Sequence, residues 1–571
     1  MQPTGDAPQN GWSRMLRRYG PVLGIVVVIA VVVIVVVVVG GGDDGDDEAA
    51  DDGGATLADG ELPEGVLPFQ VAEEEGIEVD WPETCDTETG TLATIDFFSP
   101  PCVAPFEGDN GGATAPGVTG DTITIVRYLS PEVDPVLDYI TAAIANDDTN
   151  ADVQATVEGY RDYHEEYYET YGRDVELIFY TGTGPSEDEV AARADAVTIA
   201  EEHDPFMVWG GPLLTNAFAE ELTAREIPCI NCTVSPTQEF FEEADPYAVG
   251  VGRTTAQNTV HVAEYVGNRL AGDPAIHAGD EALQDQERVF GIIYLESGPQ
   301  SAENIADLED ALAEHGVELA EAIPYPSPVD LQATADGIIA QLKDAGVTTV
   351  MFTGDPIAPA DLTRAATAQE YFPEWLMTGG TLVDTNVFSR TYDQEQWANA
   401  FGISYSGVQT PRELDSAYAI YEWYHGEPPP ADDSAGVLHF HLQMFYGALQ
   451  LVGPDLTPQT WMDALRVAAP SQAEVVTAPR LSWGDHDLWP FRDYGGIDDV
   501  TEIWWDPDTE GFDELDRLEP GVWRYVDGGK RYYPGEHPSS APNVFVIDGS
   551  VFYFEELPPS EARSAYPSPA G

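Results

Sequence analysis

From Gly117 onward the chain alternates between two hydrophobic periods, and this alternation restricts the possible folds more than any other feature. "DTITIVRYL" (121–129) alternates with period two and is rich in β-branched residues, as a strand demands. "VQATVEGYRDYHEEYYETYG" (153–172) has helical spacing and stops on Gly172. "VELIFYTG" (175–182) reads as a strand and "SEDEVAARADAVTIAEE" (186–202) as a helix, with Ser186 and Glu189 spaced for a capping box. "FMVWGG" (206–211) and "IPCIN" (227–231) are further strands around the helix 217–225. Strands that alternate with helices pair in parallel and bury both faces.

The pattern then repeats. Helices are predicted at 255–270, 300–315, 330–345 and 358–370, with strands at 288–296, 317–323, 348–354 and 374–380. "YAVGVGRTT" (247–255) reads as a crossover and "MTGGTLVDT" (377–385) as the return. Helices at 412–425, 435–452 and 458–468 would complete the first unit. The fold class is therefore α/β: two Rossmann-like lobes joined by several crossovers. The first lobe takes residues 117–253 and 379–470, and the second takes 254–378. An aromatic-rich part, 471–555, reads as short antiparallel strands packed on the second lobe, with a tail at 556–571.

The strand ends carry the functional signal. In open parallel sheets, ligands bind outside the carboxyl ends of the strands, where strand order switches. Here those ends hold Tyr128 and Ser130, then Gly210-Gly211-Pro212 followed by Thr215 and Asn216, then Thr233 and Ser235. In the second unit they hold Ser297, Asp355, Thr381 and Asp384. Bare backbone and small donors leave room for a solute, and each following helix points a partly positive terminus at it. The simpler reading is a set of tight turns and helix caps. Recurrence in both units favours a shared cleft.

The first residues set an address. Arg14, Arg17 and Arg18 precede an apolar run, Pro21 to Val39. At about 1.5 Å per residue that run covers roughly 28 Å, close to a bilayer core and longer than a signal-peptide apolar region. The expectation is a cytoplasmic N-terminus (1–20), an uncleaved anchor (21–40) and everything beyond outside. Between Asp43 and Asp80 there are acidic residues and no basic ones, so 41–80 reads as a solvated stalk. The chain has 102 Asp and Glu against 23 Lys and Arg, net −79. Such a surface repels nucleic acid and anionic lipid.

Four cysteines suit an oxidising compartment. Cys85 and Cys102 bracket an otherwise linker-like stretch within 81–116, where a bridge would supply the missing core. Cys229 and Cys232 form C-x-x-C, a structural bridge, two semi-buried thiols or a redox dithiol. A turn rather than a helix follows, which disfavours redox chemistry. No nucleophile–base set, zinc motif or dinucleotide loop appears, so no catalytic residue, metal or cofactor is assigned. "DPDTEGFDE" (506–514) echoes a calcium loop but has Arg517 where the twelfth ligand should be. His439 and His441 lie two apart on a helix and cannot share a face.

Four stretches together resemble the type I periplasmic-binding-protein family in its leucine/branched-chain-amino-acid branch, the receptors of ABC importers. They are "GVTGDTITIVRYLSP", "VWGGPLLTNAFAEELTAREIPCIN", "FGIIYLESGPQSAENIADLEDALAEHGVEL" and "AQLKDAGVTTVMFTGDPIAPADLTRAATAQEYFPEWLMTGG". The resemblance implies first-lobe ligand contacts near Thr215 and Asn216 and near Thr233 to Ser235. "LESGPQS" lacks the family's capping tyrosine, and the carboxylate for a ligand ammonium falls to Asp384 or Asp355. The implied function is capture of a small polar solute by hinge closure, with ABC permease subunits and the cytoplasmic membrane as partners. The alternatives are a ligand-independent surface module on the same fold and an extracellular thiol-redox protein.

Overall fold

The computed structural model describes residues 62–571 except 98, 132–133, 135–147, 235, 297, 327, 329–330, 381, 468–469 and 472. The apolar run 21–40 and residues 41–61 of the expected stalk lie outside the described residues; residues 62–80, also read as stalk, are corrected, because they fold onto the protein with a short helix, Phe69–Glu75, and with Val66 and Ala72 buried. Among those described, no helix is long and apolar enough to cross a membrane.

The first lobe is built on five parallel strands: β1 (Thr122–Leu129), β2 (Asp174–Thr181), β3 (Met207–Trp209), β4 (Cys229–Ile230) and β5 (Ala248–Val249). Their order is β2-β1-β3-β4-β5, so the switch point falls between β1 and β3. The connecting helices are α1 (Asn150–Tyr167), α2 (Glu189–His203), α3 (Ala217–Thr223) and α4 (Gln238–Ala244). Thr149 caps α1 through a capping box with Asp152. For α2 the expected cap is corrected. Asp188 accepts from the Val190 and Ala191 amides, while Ser186 donates from both its amide and hydroxyl to Asp134.

The second sheet starts with the same plan. Strands β6 (Phe290–Leu295), β7 (Leu319–Tyr325), β8 (Thr349–Thr353), β9 (Glu374–Thr378) and β10 (Ala400–Ser404) run parallel in the order β7-β6-β8-β9-β10. Helices α5 (Thr255–Tyr265), α6 (Pro299–Glu314), α7 (Ala335–Asp344) and α8 (Ala358–Ala368) flank them. The expected return at 377–385 is corrected here. Beyond Thr378 the chain makes two short helices and adds β10 beside β9, so the second lobe extends to Ser404. β10 escaped the sequence reading because "AFGIS" is short and has no alternation.

Helices α9 (Ser416–His425), α10 (Ala435–Val452) and α11 (Pro458–Leu465) then return to the first lobe. α10 is apolar on every side and buried over nearly its whole length, as a helix without an amphipathic face must be. The rings of Trp209 and Phe445 meet at 5.5 Å, fixing α10 against β3. A third crossing leads to β11 (Val500–Phe512), β12 (Leu518–Tyr525) and β13 (Arg531–Tyr532). β11 pairs antiparallel with β10, extending the second sheet to eight strands, with β12 and β13 beside β11. Strands from the aromatic-rich part 471–555 thus widen the second sheet. "DPDTEGFDE" is strand rather than loop for most of its length, and Asp506 there pairs with Arg524 at 2.6 Å.

Both predicted and ambiguous cysteine pairs are bridged. Cys85–Cys102, with 5.7 Å between Cα atoms, staples a small ribbon whose Thr94 accepts from Tyr163 of α1. Cys229–Cys232 spans 5.8 Å. The tail is tied down: Trp423 Nε1 donates to the Tyr566 carbonyl and Tyr566 Oη to Asp86.

Candidate functional site

The residues that end the strands divide into those committed to holding the loops and those left facing outward. On the first lobe, Tyr128 is buried against Phe218 and Tyr180, and its hydroxyl lies 3.5 Å from Asp195. This corrects its expected place in a ligand contact: the pleat turns it toward α2 and α3. Ser130 is also buried, and its carbonyl accepts from Asn150. Thr215 Oγ1 accepts from the Ala217 amide at 3.1 Å, capping the turn into α3. Asn216 clamps the neighbouring loop, donating to the Val234 carbonyl at 3.1 Å and accepting from the Val234 amide at 2.6 Å. Thr233 is partly exposed beside that clamp. Gly211 and Pro212 are buried in the turn. Ser235 lies outside the described residues.

On the second lobe, Asp355 Oδ1 accepts from the Ile357 and Ala358 amides at 2.8 and 3.0 Å, and Oδ2 from Tyr325 Oη at 2.6 Å. Asp355 thus holds the turn that leads from β8 into α8. Burial pushes its carboxyl above the ordinary range, and these donors oppose the rise. Asp384 is buried and accepts from Ser404 Oγ; burial raises it too, with Arg253 opposing. Ser297 and Thr381 lie outside the described residues.

Between the lobes run three crossovers: 250–254, 405–415 and the long segment before β11. The first and third travel side by side, with the Gly250 amide donating to the Tyr494 carbonyl at 2.8 Å and Trp483 Nε1 to the Gly250 carbonyl at 3.0 Å. Arg253 sits on the first crossover. It donates to the Gly379 carbonyl at the end of β9, and its guanidinium lies 3.7 Å above the ring of Tyr405, on the second crossover. Tyr405 Oη donates to Asn258 Oδ1 at 2.5 Å. The hinge and the glycine-rich end of β9 therefore form one polar cluster.

Sequence reasoning missed two residues here. Arg253 was hidden in a segment read only as a crossover. Arg127 was read as one more position of a strand. Its guanidinium is buried at the end of β1, with Nη1 3.3 Å from the Trp209 carbonyl and no partner for Nε. A charged residue at an inward position of a buried parallel strand is the signal that could have found it. The cysteine pair offers no redox site, because Cys229 and Cys232 are both buried in the core around Phe218. His439 and His441 are separately buried; His439 meets the ring of Tyr160 at 4.6 Å, while His441 Nδ1 donates to the Val437 carbonyl at 3.0 Å.

Residues 144–487 match the family model described as "Periplasmic binding protein". The chain belongs to the periplasmic binding protein family. No curated protein matches the chain. Among solved structures it resembles a solute-binding protein of an ABC transporter from R. palustris in complex with 4-hydroxybenzoate, at 14% identity, covering 75% of this chain and 100% of that one with a TM-score of 0.47. It also resembles a branched-chain amino acid transporter substrate-binding protein from Streptococcus pneumoniae in complex with isoleucine, at 14% identity, 71% and 100% coverage and a TM-score of 0.44. A fatty acid ABC transporter substrate-binding protein from Thermomonospora curvata matches at 13% identity, 74% and 97% coverage and a TM-score of 0.46. The family comprises non-enzymatic, extracytoplasmic solute-binding proteins that capture small molecules and meet the permease subunits of ABC importers.

Proposed function

We propose that this protein captures a small polar solute, such as an amino acid, an amide or a related carboxylate, between its two lobes and delivers it to an ABC permease. The reading is carried by the repeated strand order, β2-β1-β3-β4-β5 and β7-β6-β8-β9-β10, with three crossovers joining the two sheets. Two like sheets on a multi-strand hinge can rotate together as rigid bodies. A solute that contacts both lobes favours the closed arrangement by the contacts it makes only there. Thr233, Ser235, Ser297, Thr381 and Asp384 are the proposed contacts, with Thr215, Asn216 and Asp355 holding the loops in place. Residues 21–40 would anchor the chain in the cytoplasmic membrane, and the acidic residues that follow, 41–61, would hold the lobes off its surface.

Titration calorimetry of the full chain against pooled amino acids, amides and small carboxylates tests the reading. It expects saturable binding from at least one pool. Absence of heat and of any thermal shift with all pools would favour the ligand-independent surface module instead.

A further inference from the structure

The switch point of the first sheet holds a cation without an anion. Arg127 is 3% exposed. Among the described residues no carboxylate pairs with it, although the chain carries 102 acidic side chains. Most other described arginines form ion pairs, such as Arg269–Glu502, Arg288–Glu374 and Arg531–Asp499. Those that do not are bonded in other ways, although Arg173 also leaves one buried nitrogen, Nη1, without a partner. Arg173 donates to the carbonyls of Thr119, Asn110, Gly112 and Pro454. Arg253 meets the Gly379 carbonyl and the Tyr405 ring, and Arg563 meets the Leu414 carbonyl with Asp415 near. Arg127 has one carbonyl at 3.3 Å and an orphaned Nε.

Its surroundings fit an incoming anion better than they fit a core arginine. The guanidinium rests on Gly210, the first glycine of the Gly-Gly-Pro end of β3. Gly210 has φ +74°, and a Cβ there would stand 2.7 Å from Nη1. The bare backbone of Gly210 thus leaves room for the guanidinium near the carboxyl ends of two adjacent strands, where ligands of parallel sheets bind. The titratable group facing it from α10 is His441, which burial keeps neutral and which supplies no negative charge. Burying a charge without a partner is costly, whereas a bidentate carboxylate matches the planar fork of a guanidinium.

We propose that Arg127, a residue outside the strand-end donors named above, receives the carboxylate of the captured solute. The inference rests on the interlobe reading given above.

The test uses the full chain, with isoleucine, 4-hydroxybenzoate and octanoate as carboxylate probes, each against its primary amide, by calorimetry and thermal shift. The expected result is that at least one acid binds wild type at least about 100-fold more tightly than its amide, as a desolvated charge-assisted pair should. Arg127→Met should lose about the same factor, and Arg127→Lys should retain part of the preference. Acid binding within about threefold of wild type in Arg127→Met overturns the proposal while leaving solute capture intact. So does an acid that binds no better than its amide, which would mean that a water rather than a solute serves the orphaned Nε. If Arg127→Met does not fold, as judged by circular dichroism, the acid-to-amide ratio of wild type and the Arg127→Lys affinity decide the matter. Binding of no probe, acid or amide, overturns it together with the solute-capture reading for these classes.

Discussion

Replacing Arg288 with Met should destabilise the second lobe severely without touching solute binding. Arg288 lies just before β6 and Glu374 opens β9, so the pair ties the amino ends of the sheet, away from the strand ends that face a ligand. The contact is bidentate, Nε to Oε2 at 2.8 Å and Nη2 to Oε1 at 3.0 Å, with side chains 3% and 0% exposed. Glu374 also accepts from Thr349 Oγ1 at 2.7 Å and the His277 amide at 3.1 Å. Removing the cation leaves a fully buried carboxylate with only those two donors. Loss of one partner of a buried pair costs about 3–5 kcal/mol. The surviving hydrogen bonds place this case at the lower end, on the order of 3 kcal/mol, or roughly 10 °C in the melting of a lobe of this size. Urea unfolding followed by tryptophan fluorescence reads the loss, since Trp375 is adjacent to Glu374 and buried. The double variant Arg288→Met/Glu374→Leu should recover most of it, because no charge is left unpaired. A loss below about 1 kcal/mol, or a double variant no better than the single one, would refute the reasoning.

Other perturbations have equally direct outcomes. His164 of α1 is fully buried and held neutral, its value pushed down to about 3 by burial. The unfolded chain therefore binds a proton that the folded one refuses between pH 6.5 and 3, so this contribution is intact above pH 6.5 and falls as the solution is acidified. From pH 6.5 to 5 it amounts to about 2 kcal/mol, and His164→Phe should lose correspondingly less stability over that interval in urea titrations at the two pH values. Gly210→Ala forces a side chain to φ +74° and against Arg127 Nη1, so it should cost about 1–3 kcal/mol and shift the solute affinity as well. Changing Cys85 and Cys102 to Ser opens a loop of sequence separation 17, and should lower stability by about 3 kcal/mol while leaving binding to the lobes unchanged.

The two-lobe plan was legible because its signals are local. Period-two runs such as "DTITIVRYL" and capped helices such as 150–167 report their own backbone. The return of the chain was not, because "MTGGTLVDT" and a crossover share the same glycine-rich composition. Only pairing with β10, a contact between distant segments, tells them apart. The candidate site was half legible for a related reason. Gly, Thr, Asn and Asp are required both by ligands and by the turns that follow strands, and Thr215, Asn216 and Asp355 turned out to serve turns. Arg127 and Arg253 carried the sharper signal, a cation where the local pattern calls for an apolar or flexible residue. Reading it required knowing which carboxylates stay away.

Double electron–electron resonance between spin labels at Val190→Cys in the first lobe and Glu314→Cys in the second tests the central claim most directly, because both sites are exposed and lie on different sheets' helices. With the solute that gives calorimetric heat, the account predicts a shift of the distance distribution from open to closed, saturating at the same concentration as the heat. A solute that binds tightly while leaving that distribution unchanged would contradict capture by lobe closure.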